Sequence, residues 1–149
     1  MSEEPGFIVR FYDKSYEDKN ILELVKAPVE AISGVSDSDA EKLKKAFNVE
    51  TVMDLATSEY IILAQAVNNF SLCSGALLDQ EFLSKDLIEL AEKPVHAIKG
   101  ISEEDADALR EAFNVKTIRD LAENKYVSIA RTTVSLAAMV ELLLEISEK

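Results

Sequence analysis

The side chains with chemistry to offer are few and poorly gathered. His96 is the single histidine and Cys73 the single cysteine of a 149-residue chain. One cysteine leaves neither an internal disulfide nor a cysteine metal site. Flanked by Phe70, Leu72, Ala76 and Leu77, Cys73 reads as a small core residue. Carboxylates gather in two short runs, Ser36-Asp37-Ser38-Asp39 and Ser102-Glu103-Glu104-Asp105. Neither run has the Asp-x-Asp-x-Asp-Gly pattern with which calcium loops surround a hard cation. Both instead place a carboxylate three residues after a serine, the spacing with which a helix caps its own first turn. Hydrolase, kinase and dinucleotide motifs are absent from the sequence. No catalytic residue, no metal ligand and no cofactor is therefore expected, and the chain is not expected to be an enzyme.

The elements that carry these runs occur twice. Pro28 to Ala56, PVEAISGVSDSDAEKLKKAFNVETVMDLA, returns as PVHAIKGISEEDADALREAFNVKTIRDLA from Pro94 to Ala122, a shift of 66 residues. Without gaps, 20–64 aligns on 86–130 with 21 identities in 45 positions, which marks one supersecondary unit used twice. His96 aligns with Glu30, so no shared catalytic role attaches to that position.

In each copy the order of elements is predicted from local signals. Asn20 and Asp86 are expected to cap a short helix, which Pro28 and Pro94 end while opening the next turn. Gly34 and Gly100 suit a tight hairpin that requires positive φ or a close backbone approach. Behind Ser36 and Ser102, Ala40, Leu43, Ala46 and Phe47, or Ala106, Leu109, Ala112 and Phe113, fall on one helix face. Asn48 and Asn114 are placed to stop that helix in a left-handed conformation. Thr51 and Thr117 then cap a short helix that ends near Ala56 and Ala122, and a longer helix closes each unit. Its core stripe is predicted as Tyr60, Leu63, Ala64, Val67 and Phe70 in the first copy. In the second it is Tyr126, Ile129, Ala130, Val134, Ala137, Val140, Leu143 and Leu144. Val134, Ala138, Leu142 and Ile146 form a second stripe suited to a partner. The link 77–82 lacks a Gly/Pro/Ser tether, so the two units are expected to pack together.

The pattern hydrophobic-x-Gly-hydrophobic-x-x-x-x-Ala-x-x-Leu, in ISGVSDSDAEKL and IKGISEEDADAL, resembles the helix-hairpin-helix motif. The segments FNVETVMDLA and FNVKTIRDLA are similar to the stretch just after that motif in the N-terminal domains of archaeal and eukaryotic RecA-like recombinases, and to the C-terminal domain of the bacterial RNA polymerase α subunit. The resemblance covers two stretches of roughly 30 residues. It implies an all-α fold of two tandem helix-hairpin-helix (SAM-like) repeats, with hairpin residues Gly34, Val35, Ser36, Gly100, Ile101 and Ser102. It also implies backbone N–H groups that hold a DNA phosphate, with Lys42, Lys45, Lys99 and Arg110 as candidate nucleic-acid contacts. Residues 1–19 are expected as an N-terminal segment, extended over 6–12 and packed on the helices; 20–80 as the first repeat; 81–149 as the second, with a long C-terminal helix.

Charge opposes the phosphate function. Sixteen basic against 28 acidic side chains give −12, and each aligned segment carries −4. Asp37 and Asp39, or Glu103, Glu104 and Asp105, sit where a phosphate would approach. At ~4 Å even the water-screened repulsion is about 1 kcal/mol per pair. The leading expectation is a non-enzymatic interaction or scaffold protein that binds a protein partner or itself. The competing one is DNA-backbone binding, without sequence preference, through the paired hairpins. From an acidic start, a lone cysteine and no 18-residue charge-free apolar run, a cytoplasmic chain with no membrane span is expected.

Overall fold

The computed structural model describes residues 7–148, and among them it is mostly helical, with no strand. Its α-helices are α1 (Ile21–Leu24), α2 (Asp37–Phe47), α3 (Val52–Thr57), α4 (Glu59–Leu77), α5 (Lys85–Glu89), α6 (Glu103–Phe113), α7 (Ile118–Ala122) and α8 (Lys125–Glu148). The all-α expectation holds at this level.

Local chemistry sets most boundaries. Ser36, Thr51, Ser102 and Thr117 each accept from the backbone N–H three residues on, and the carboxylates of Asp39, Asp54, Asp105 and Asp120 reach back to the cap. These are reciprocal capping boxes. Asn48 and Asn114 end α2 and α6 at φ 57° and 56°, a conformation asparagine tolerates better than most residues. Asn20 caps α1 as expected, but Ser84, not Asp86, caps α5. The serine hydroxyl accepts from Leu87 N–H, and Asp86 falls in the first turn, where a carboxylate suits the helix dipole. Behind each hairpin the chain is pinned to the next cap. Val29 N–H donates to the Glu50 carbonyl (2.9 Å) and Val95 N–H to that of Lys116 (3.0 Å).

The N-terminal segment departs from expectation. Residues 7–11 form a 3₁₀ turn, not an extended run, and 14–16 form a second; residues 1–6 of that segment lie outside the described residues. The buried side chains are Val9 and Tyr12, three apart, the spacing that stacks side chains in a 3₁₀ helix. The Tyr12 N–H donates to the Val9 carbonyl (3.1 Å) and closes that turn. The Tyr12 hydroxyl lies 2.8 Å from Thr133 Oγ1 in α8. Thr133 gives its own proton to the Ile129 carbonyl, so Tyr12 is the donor, and burial pushes its phenol above the usual value.

The core is one cluster drawn from both halves of the chain. α2 packs on α6, and the long helices are exchanged: α4 lies on α7 and α8 lies on α3. Each long helix caps the short helix it covers. Arg131 Nη1 donates to the Ala56 carbonyl at the end of α3 (2.8 Å), and Gln65 Nε2, 66 positions earlier, donates to the Ala122 carbonyl at the end of α7 (3.4 Å).

Candidate functional site: the two hairpins and the face of α8

Each hairpin turns on a solvent-exposed glycine that one tyrosine of the opposite half approaches closely. Gly34 and Gly100 have φ of 98° and 100°, a region that penalises any Cβ. A Cβ on Gly34 would also stand 2.7 Å from the Tyr126 hydroxyl, and one on Gly100 2.7 Å from that of Tyr60. Tyr126 donates to the Gly34 carbonyl at 3.3 Å. Each tyrosine leans on the phenylalanine of its own half, Phe47 on Tyr60 at 5.1 Å and Phe113 on Tyr126 at 5.4 Å between ring centres. Val35 and Ile101 are buried and plug each hairpin into the core.

The N–H groups nearest the hairpin tips are engaged from within. The Ser36 N–H donates to Asp39 Oδ2 (3.3 Å), and the Asp39 N–H to Ser36 Oγ (3.0 Å). Ser102 and Asp105 repeat the pair at 3.4 and 3.0 Å. Asp37, Glu103 and Glu104 stand exposed beside them. A helix N-terminus draws anions because its N–H groups lack partners; here the Asp39 or Asp105 carboxylate takes the cap N–H and the serine hydroxyl takes the N–H three residues on.

Three of the four expected basic contacts are paired with carboxylates. Lys42 Nζ lies 3.5 Å from Glu111, and Lys45 Nζ lies 2.6 Å from Glu104, so both reach across to α6. Lys45 beside Glu104 holds that carboxyl below the usual range, and the lysine is raised in turn. Arg110 pairs with Asp107 on its own helix at 3.1 Å. Lys99 stands exposed before the second hairpin. Two further arginines serve the fold: Arg131 as above, and Arg119, which binds Glu92 (2.5 Å), Asn68 Oδ1 (2.7 Å) and Ser71 Oγ (3.2 Å).

The isolated reactive residues stay apart. His96 is exposed on the 3₁₀ turn Val95–Ala97. Cys73 is exposed as well, against the expectation of a core residue, because α4 buries the adjacent Ser74 and the line through Ala64 and Val67 instead. Among the described residues no group of three or more His, Cys, Asp or Glu side chains is placed to hold a metal ion.

The stripe expected on α8 holds from Tyr126 to Ala137 and fails beyond it. The buried residues are Val127, Ala130, Thr133 and Ala137, so Leu143 and Leu144, expected in the core, are exposed, together with Leu136, Met139, Leu142 and Ile146. The last three turns outrun the body that would cover them. By length and composition α8 is apolar enough to cross a membrane, yet its first half is built into the core through Ala130, Thr133 and the Arg131 cap. Beside it, Phe7, Ile8, Phe11, Tyr126, Ile129 and Thr132 are among the residues lining an open, mainly apolar cleft of about 690 Å³. Comparison of the chain with protein-family models, with curated proteins and with solved structures finds no match.

Proposed function

We propose that this chain is a non-enzymatic interaction protein, built on two degenerate helix-hairpin-helix units whose phosphate-binding side has been given over to self-contained turns. The observation that carries the reading is the double closure of each hairpin. From one side the carboxylate of Asp39 or Asp105 takes the cap N–H. From the other a tyrosine hydroxyl of the opposite half stands over the glycine. The ion pairs of Lys42 and Lys45 support it, because a phosphate would have to compete with Glu111 and Glu104 for them. The exposed apolar side chains of α8 supply a surface of the kind that binds proteins.

The competing reading, DNA-backbone binding through the hairpins, makes an opposite prediction for one titration. Fluorescence anisotropy of labelled duplex and branched DNA is expected to show no binding at about 50 mM salt, where phosphate-driven affinity is strongest. Binding that falls steeply by about 200 mM salt, and is lost when Lys42, Lys45, Lys99 and Arg110 are neutralised, would overturn the proposal.

A further inference from the structure

We infer that the partner of the α8 surface is a second copy of this chain, paired antiparallel along α8; this rests on the interaction-protein reading above. Three lines of residues on α8 carry it. Val127, Val134, Glu141 and Glu148 are spaced by seven and run along the side that faces the core, where Val127 is buried and Val134 partly so. Ile129, Leu136 and Leu143, with Thr132, Met139 and Ile146, alternate by three and four along a second side, which starts at Ile129, still partly packed on the core, and runs out onto the exposed tail. Leu136, Met139, Leu143 and Ile146 are 40, 60, 61 and 58 % exposed. The polarity is thus inverted relative to a surface helix of a monomer: carboxylates continue the core line past the end of the body, and leucines face outward. A three-four alternation of apolar residues is the seam with which one helix packs along another.

The flanks of the seam indicate which helix. Ser128, Ser135 and Leu142 on one side, and Val140 and Ser147 on the other, carry no charge. Along the helix itself an identical copy therefore meets no like charge, and in the cleft it meets charges of both signs, Arg10 and Lys125 with Glu123. A membrane surface fits poorly, because the polar side of the tail is Glu141, Glu145 and Glu148, where interfacial helices carry lysine and arginine. The antiparallel direction comes from the two ends. Near the body the seam runs into the cleft walled by Phe7 and Phe11, and at the far end it is bare. Reversing one copy sets Ile129 opposite Ile146, Thr132 opposite Leu143 and Leu136 opposite Met139, so each tail fills the other's cleft. The four exposed seam residues, with Phe7 at 71 % and Phe11 at 37 % exposure, offer apolar area on the order of several hundred Å² per copy. With the rims included, that approaches the roughly 800 Å² per partner of a standard interface. The matching line on α4 (Leu63, Ala66, Phe70, Cys73, Leu77) is weaker, being shorter in side chain, while α5 and the turn after it pack on that helix.

The test is the solution mass of the full chain by light scattering on size exclusion, at about 10 and about 100 µM. The expected mass is twice 16.5 kDa, with the dimer favoured by salt, since two chains of −12 repel through their general charge. Met139→Glu with Leu143→Glu is expected to give the single-chain mass with unchanged helical circular dichroism. In a Cys73→Ser background, an oxidised mixture of chains carrying Leu136→Cys and chains carrying Met139→Cys is expected to form mostly the mixed disulfide. A wild-type mass of one chain at about 100 µM would overturn the pairing, as would a doubly substituted chain that stays dimeric. Homodisulfides in excess of the mixed one would overturn the antiparallel register. A monomer that floats with neutral phosphatidylcholine vesicles would assign the seam to lipid instead. The DNA titration reads the underlying proposal separately: a monomer that ignores DNA refutes self-pairing alone, whereas salt-sensitive DNA binding refutes the interaction-protein reading whatever the mass.

Discussion

Gly34 and Gly100 are held as glycine by two separate forces. Their φ near +100° strains any side chain, and the tyrosine hydroxyl of the opposite half stands 2.7 Å from where a Cβ would be. Backbone strain of this kind costs about 1–3 kcal/mol, and displacing the tyrosine adds to it. Gly34→Ala is therefore expected to lower stability by about 2–3 kcal/mol, roughly 5–10 °C in a thermal melt for a chain of this size. Tyr126→Phe introduced with Gly34→Ala is expected to recover the crowding part and leave the strain. An unchanged melting temperature in Gly34→Ala would mean that the hairpin takes up another conformation. The hairpin glycines, the serine caps with Asp39 and Asp105, and the asparagine stops were all legible in the sequence, because each depends on contacts within about five residues. The tyrosine cover was not. Tyr60 and Tyr126 are 40 and 92 residues from the glycines they reach, and nothing local distinguishes them from ordinary members of an apolar stripe.

At the scale of elements, the pairing of α2 with α6 shows how two similar units are kept from being interchangeable. Helices of identical sequence would set like charges against each other at this contact. Here Lys45 aligns with Glu111 and Ser38 with Glu104 in the 66-residue repeat, so lysines on α2 meet glutamates on α6. Reversing one side with Lys45→Glu is expected to lower the melting temperature. Adding Glu104→Lys is expected to restore it, with the size of the effect falling as salt is raised. The pH dependence has a definite sign. Glu104 has a folded pKa below its ordinary 4.5, so its contribution is present above that value and is lost as pH falls through the lowered folded value. Glu104→Gln is expected to flatten that part of the acid limb of a pH–stability profile; a profile indistinguishable from wild type would contradict the pairing. Sequence patterns revealed the existence and order of these helices, but the buried side of α4 and α8 depends on which helix lies against it. Periodicity allowed several stripes, and the exchange of α4 onto α7 and α8 onto α3 selected the ones through Ala64 and Ala130. The same limit explains residues 7–11. Their β-branched and aromatic content favoured an extended run, whereas burial of Val9 and Tyr12 against α8 and the first hairpin favoured a 3₁₀ turn.

At the scale of the whole molecule, the exchange of long helices joins the two halves through one core and sets each hairpin beneath a side chain of the other half. A hairpin built this way has its cap N–H bonded to a carboxylate of its own first turn and a tyrosine of the other half beside its glycine before any ligand arrives. Amide chemical shifts report on that closure at each hairpin. The measurement is a titration of the ¹⁵N-labelled chain with a short DNA duplex at about 50 mM salt, tracking the backbone amides of Gly34, Val35, Ser36, Gly100, Ile101 and Ser102. The closed hairpin predicts that these six signals hold their positions through an excess of DNA. Saturable shifts confined to them, reversed on raising salt to about 200 mM, would show phosphate entering the hairpins and would contradict it.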